Sequence, residues 1–221
     1  MSLATEKNPG QNLILKEIDT LGLTSYVDEL DENGFTIIPP EIACPDGLGE
    51  RLVQSLLDVS EKRSGIKLDV NDGSTHKNLT GKLNDDIKVD YGLTTENVDE
   101  NEVAEDSPIG DFLRALIFEG KAFEDALMNP VILAMATYLL GYQCHLSAMN
   151  AFIKGPNRTN LDLHCDTLLP DPLPDHALVC NCTYALTDYN KENGSIAFVP
   201  GSLKWNRAPS KTHAVMSTTS D

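Results

Sequence analysis

Apolar residues near the start of the chain recur at helical spacing. At positions 21, 23, 26, 27 and 30 their spacing is near-helical, which predicts a helix with one apolar face. Gly34 supplies a stop for this helix, since glycine is the usual residue just beyond a helix end. The apolar stretch 35–39 that follows predicts a first strand.

The same spacing returns twice in the middle of the chain. Residues 48–60 and 112–140 carry apolar side chains at three- and four-residue intervals, with an interruption at Pro130. These segments predict helices that pack on the outside of a sheet, and Gly141 is a suitable C-cap for the last one.

The pattern changes to strands in the second half of the chain. Residues 144–154 and 177–186 alternate or are rich in β-compatible side chains, and both faces of the second segment are largely small or apolar. Residues 190–194 supply turn chemistry before a short strand over 195–199, which the Pro-Gly dipeptide at 200–201 ends. The alternation places Leu178, Cys180, Cys182 and Tyr184 on one face of the second strand.

His164 and Asp166 are the most informative pair of side chains in the sequence. If the segment 160–169 is extended, both side chains leave the same face and can converge on one metal ion. An imidazole and a carboxylate are two of the three ligands in the facial triad that holds non-haem Fe(II). The alternative is a turn with a capping aspartate, because His-x-Asp also occurs by chance.

The sequence downstream supplies the context for this pair. Thr187-Asp188, Glu192-Asn193-Gly194 and Val199-Pro200-Gly201-Ser202 follow His-x-Asp in order and at suitable spacing. In these motifs the chain resembles the phytanoyl-CoA dioxygenase family of Fe(II)/2-oxoglutarate oxygenases. The segment 30–38 is also similar to the family's opening element, a helix that runs into a Gly-aromatic strand.

The resemblance implies a fold and an activity. The fold would be an α+β, mainly β double-stranded β-helix, a cupin-like jelly roll with flanking helices, forming a single domain over residues 1–221. The activity would be Fe(II)- and 2-oxoglutarate-dependent hydroxylation of an unactivated C–H bond of a small-molecule or acyl substrate, with O2 as co-substrate. An aspartate at position 166 favours hydroxylation over halogenation.

The resemblance also implies roles for individual residues. His164 and Asp166 would be the catalytic metal ligands. Asn150 and Lys154 would contact 2-oxoglutarate together with Phe152, although ordinary strand residues are an equal alternative. His213 is the candidate third metal ligand, but it lacks the family's Gly-Asp turn and the following Arg, so a solvated tail residue is the alternative.

The missing C-terminal motifs leave several explanations open. The chain resembles a family member that lacks its last strands, as would result from a partial gene, a chain given without its C-terminal part, or a natural shortened form. The competing hypothesis is therefore a non-catalytic β-helix protein that acts as a binding module. A cupin-like isomerase or sugar-binding barrel ranks last, because the sequence has no His-rich metal strand.

Composition narrows the expected partners. A net charge of −17 and a pI near 4.5 argue against nucleic acid and anionic membranes, both of which favour basic surfaces. The segment 1–10 is too polar for a secretory signal, and no apolar stretch is long enough to cross a bilayer. The five cysteines form no CxxC pair and fit reduced thiols. We therefore expect a cytoplasmic enzyme with a small-molecule substrate, and a homo-oligomer stays open.

Overall fold

The structure is a computed structural model that describes residues 9–73, 75, 111–154, 164, 174, 176–205 and 216–217. The chain divides into two compact units. The first unit comprises residues 1–48, 125–145 and 162–221, and the second comprises 49–124 and 146–161.

Helices predominate in the described part of the chain. The α-helices are α1 (Pro9–Thr20), α2 (Thr24–Asn33), α3 (Pro40–Ala43), α4 (Leu48–Ser64), α5 (Lys121–Leu127) and α6 (Pro130–Leu140). The strands are β1 (Asp111–Leu113), β2 (Ala151–Ile153), β3 (Ala197–Phe198) and β4 (Met216–Ser217). Short 3-10 helices lie at Pro45–Gly47, Leu116–Phe118 and Ser202–Trp205.

The predicted helices at 21–30 and 48–60 are confirmed as α2 and α4. Gly34 takes the left-handed conformation with φ 86° and donates its N–H to the Leu30 carbonyl, as a C-cap does. Gly141 ends α6 with φ 83° and donates to the Thr137 carbonyl. Local signals were sufficient here because a helix and its caps are closed by hydrogen bonds between near neighbours.

The helical prediction over 112–140 is wrong in its first third. Residues 111–113 form β1, and Ala115 follows in a left-handed conformation with φ 58°, which an α-helix does not tolerate. The Leu116 N–H then donates to the Met149 carbonyl 3.0 Å away. A 3-10 helix follows at Leu116–Phe118, and α-helical structure begins only with α5.

The core of the first unit lies between helices. It is formed by buried apolar side chains of α1, of the α1–α2 connection, and of α2 and α6, namely Ile14, Ile18, Leu23, Val27, Val131, Ala134 and Met135. Helix α1 was not predicted from the sequence. The Tyr138 hydroxyl donates to the Asp31 carboxylate at 2.7 Å, which adds a polar tie between α6 and α2.

Strand structure is shorter than the sequence predicts. Residues 35–39 and 177–186 form no strand, while 144–154 and 195–199 are strand only at β2 and β3. The ladders in the described part of the chain are two antiparallel pairs, β1 with β2 and β3 with β4. The α+β content is therefore observed, and the double-stranded β-helix stays a prediction.

An ion pair joins helix α4 to the 3-10 turn of the second unit. The Arg63 guanidinium contacts the Glu119 carboxylate at 2.6 Å, and their side chains are 8% and 15% exposed. Arg63 also donates to the Arg114 carbonyl at 3.0 Å, and Lys62 contacts Glu119 at 3.0 Å. These contacts lower the pKa of Glu119, chiefly through the hydrogen bond from Arg63.

Among the described residues, no single helix is long and apolar enough to cross a membrane. Helices α5 and α6 together would meet that length and composition, but they are bent by 45° at the break between them.

Candidate functional site

The Glu-Asn-Gly motif forms a closed turn. The Asn190 side-chain oxygen accepts the backbone N–H groups of Glu192 and Asn193 at 2.9 and 3.1 Å. The Asn193 amide donates to the Asp188 carbonyl, and Gly194 completes the turn with φ 85°. Asparagine side chains favour such turns because they replace backbone hydrogen bonds locally. The predicted turn at 190–194 is thus confirmed.

The Pro-Gly-Ser motif is held against the end of α2. The Gly201 N–H, at φ 72°, donates to the Asn33 carbonyl at 2.9 Å. The ring of Phe198 in β3 stacks on Phe35, with centroids 4.8 Å apart and planes 13° apart. Two segments that carry the family resemblance, 30–38 and 199–202, therefore contact each other in the first unit.

His164 is exposed. Asp166 and His213 lie outside the described residues. Within the part of the chain that the structure describes, no three or more His, Cys, Asp or Glu side chains are grouped so that they could hold a metal ion. The structure thus places one of the three predicted ligands and leaves the ligand set itself as a prediction.

Asn150 and Lys154 flank strand β2, and both are exposed. Side chains alternate along a strand, so Asn150, Phe152 and Lys154 share one face. Phe152 is 57% exposed and stacks on Phe112 of β1, with centroids 4.8 Å apart and planes 7° apart. The Arg114 guanidinium lies 4.9 Å from the centre of the Phe112 ring, close enough for a cation–π contact.

Arg114 was missed by the sequence reasoning. The face that carries the predicted 2-oxoglutarate contacts also has this second cation beside its aromatic pair. Its signal was hidden because the apolar spacing over 112–140 predicts a helix at this position. Had they been read as a strand, alternation would have placed Arg114 on the same face as Phe112.

An open pocket of about 380 Å³ lies elsewhere in the first unit. It is lined by Leu140, Gln143, Cys144, His145, His176, Ala177 and Leu178. Among the described residues, none of the predicted site residues lines it. His176 and His145 are both exposed, and His145 was not singled out from the sequence.

Within the first unit, the segment 177–186 contacts helix α5 through a tyrosine. The Tyr184 hydroxyl donates to the Ala126 carbonyl at 3.0 Å. Burial raises the pKa of Tyr184 to about 12, so the hydroxyl stays protonated and remains a donor at neutral pH. This contact anchors the segment even though it has no ladder partner among the described residues.

The chain belongs to the phytanoyl-CoA dioxygenase (PhyH) family, whose profile matches residues 31–219. It is also similar to a protein of Aspergillus fumigatus named dioxygenase af480, with 40% identity over 85 residues. The match covers 38% of this chain and 27% of that relative, so the chain spans about a quarter of the relative's length. No solved structure matches the chain significantly.

Proposed function

We propose that this protein is an Fe(II)- and 2-oxoglutarate-dependent dioxygenase that hydroxylates an unactivated C–H bond of a small-molecule or acyl substrate. The match to the phytanoyl-CoA dioxygenase family over residues 31–219 carries the proposal, because it includes His164, Asp166 and the three motifs that follow them. The double-stranded β-helix belongs to the same proposal.

The donor chemistry of the predicted ligands fits Fe(II). One neutral imidazole and one carboxylate are two members of the 2-His-1-carboxylate set, which leaves positions open for a co-substrate and O2. In the proposal His164 and Asp166 hold the metal, and His213 is the third ligand to be tested. Bound Fe(II), with 2-oxoglutarate and O2, would supply the oxidising power for C–H hydroxylation.

The β1–β2 face is the proposed contact surface for 2-oxoglutarate. The Lys154 ammonium offers a positive charge for a carboxylate, and the Asn150 amide offers both a donor and an acceptor. Arg114 adds a planar guanidinium, which suits two-point binding of a carboxylate. These three side chains would bind and orient the co-substrate, and none of them would transfer a proton.

The test combines metal binding with turnover of the co-substrate. The purified protein is loaded with Fe(II) without oxygen, its bound iron is measured, and succinate is then followed after adding 2-oxoglutarate and O2. We expect iron binding and succinate formation that requires both additions. His164→Ala should abolish both, because it removes one ligand, whereas the exposed His145→Ala should leave both unchanged.

The same test distinguishes the enzymatic proposal from the non-catalytic alternative. If the wild type and His164→Ala bind equally little iron and form no succinate, the enzymatic proposal is wrong and a binding module is favoured. Lys154→Ala gives a second readout. It should raise the KM for 2-oxoglutarate while iron content stays constant, since its proposed role is confined to the co-substrate.

A further inference from the structure

Two thiols in the segment 177–186 face each other. Cys180 Sγ and Cys182 Sγ are 3.7 Å apart, within the range of a sulfur hydrogen bond. Only Asn181 separates them, and side chains two residues apart in an extended segment share one face. Cys182 is exposed and Cys180 is partly buried, so small reagents in solution can reach the pair.

The two thiols differ in their tendency to ionise. The hydrogen bond between the two thiols lowers the pKa of Cys180 to about 7. The same hydrogen bond raises the pKa of Cys182, whose proton is shared with its neighbour. Cys180 is therefore the nucleophilic sulfur at neutral pH, and Cys182 holds a proton beside it.

We propose that Cys180 and Cys182 form an oxidisable dithiol that a hydroperoxide converts into a reversible disulfide. The Cys180 thiolate attacks the peroxide oxygen, the O–O bond breaks, and Cys180 becomes a sulfenic acid while an alkoxide or hydroxide leaves and takes up a proton from water. The Cys182 thiol then attacks the Cys180 sulfur, the S–S bond forms, and water is released. The peroxide is reduced by two electrons, and the two thiols supply them.

Little movement is required to close this bond. The sulfur atoms must approach from 3.7 Å to about 2.05 Å. In the proposal, rotation of the two side chains, of which Cys182 is exposed, brings the sulfur atoms together. Exposed disulfides are also the ones most readily reduced again, so the modification should be reversible by a dithiol reductant. The proposal does not depend on iron or on 2-oxoglutarate.

Peptide mass spectrometry on the full chain tests the proposal. The protein is treated with hydrogen peroxide, remaining thiols are alkylated, and the chain is cleaved on the amino side of aspartate. Cleavage at Asp175 and Asp188 releases peptide 175–187, in which Cys180 and Cys182 are the only cysteines. We expect this peptide to lose two hydrogen atoms and two alkylation sites after peroxide, and to regain both sites after reduction.

Three serine variants identify the roles of the sulfurs. Cys182→Ser should stop at a sulfenic acid on Cys180 that a 1,3-diketone reagent traps. Cys180→Ser should slow the reaction of this peptide with peroxide by about tenfold at pH 7, because the remaining thiol is largely protonated. Cys144→Ser, at an exposed cysteine outside the pair, should leave disulfide formation unchanged.

Two outcomes would overturn the proposal. One is a wild-type peptide that keeps both alkylation sites under peroxide that oxidises Cys144. The other is a Cys180→Ser variant that reacts as fast as the wild type. A thermal melt of each variant checks that the fold is retained, which we expect because serine closely matches the size of cysteine.

Discussion

The side chain of Leu203 packs directly on Gly34. A Cβ atom added at Gly34 would stand 3.1 Å from Leu203 Cδ2, closer than ordinary van der Waals contact. Gly34 also has φ 86°, which side chains other than glycine rarely adopt. The end of α2 and the turn after Pro200 can therefore approach closely only because position 34 has no side chain.

We expect Gly34→Ala to destabilise the protein more than a matched change at Gly22. Gly22 has a similar φ of 71°, but nothing lies within 4 Å of its added Cβ. Gly22→Ala should lower the free energy of unfolding by about 1 kcal/mol through backbone strain alone. Gly34→Ala should cost about 1 kcal/mol more through the contact with Leu203, measured by urea unfolding. Equal losses for Gly22→Ala and Gly34→Ala would show that the contact with Leu203 is relieved without cost. Adding Leu203→Ala to Gly34→Ala should restore part of the lost free energy of unfolding.

Asn129 should contribute strongly to the stability of the first unit. Its side-chain oxygen accepts the Val131 N–H at 2.9 Å and caps α6, and its amide donates to the Ala43 carbonyl at 2.6 Å. The residue is 5% exposed, so neither backbone group would readily find water if the side chain were lost. Asn129→Ala should lower the free energy of unfolding by about 3 kcal/mol. Asn129→Ser keeps an oxygen that can cap α6, so it should lower the free energy of unfolding by less than Asn129→Ala does. Equal losses for the two variants in urea unfolding would show that the cap is unimportant.

The pair between Arg63 and Glu119 should make stability depend on pH in the acid range. The folded state lowers the pKa of Glu119 from its ordinary value of 4.5, so the pair stabilises the fold above that pH and is lost as pH falls through the lowered pKa. Glu119→Gln should cost about 2 kcal/mol at pH 7, because Arg63 is left largely buried without its charge partner.

Thermal melts between pH 3 and pH 7 measure this dependence. The difference between wild type and Glu119→Gln should shrink towards the acid end. Glu124→Gln is the matched control, since the ion pair of Glu124 with Lys121 is 4.0 Å long and exposed, and it should change stability by less than about 0.5 kcal/mol. A constant difference across the range would show that Glu119 acts through packing instead of charge.

The sequence predicted local structure better than strand pairing. Helix α2, its Gly34 cap and the Asn190–Gly194 turn were found because each is closed by hydrogen bonds within a few residues. The prediction of a strand at 177–186 was wrong, because β-compatible residues form a strand only when another segment pairs with them. Helix α1 was missed. The helix predicted from residue 112 is also not observed at its start, where a strand and a 3-10 helix stand on either side of Ala115 in its left-handed conformation.

The candidate site was predictable only as a list of residues. His-x-Asp at 164–166 and the motifs after it indicated the family, and the family match confirmed it. The exposure of His164 and the place of Asn150 and Lys154 beside β2 came from the structure. Arg114 was found only there as well, since its position depends on the register of β1 against β2, which pairs Phe112 with Phe152.

By itself the sequence determined helices α2, α4, α5 and α6, the turn at 190–194 and the family of this protein, because those follow from local hydrogen bonding and from motifs in order. Only the tertiary structure decided which distant residues meet. It placed Phe198 on Phe35 and Glu119 against Arg63, and it set the 3.7 Å separation of the Cys180 and Cys182 sulfurs. The physical reason is that such contacts depend on how separate segments pack and on side-chain rotamers, and neither is fixed by spacing along the chain.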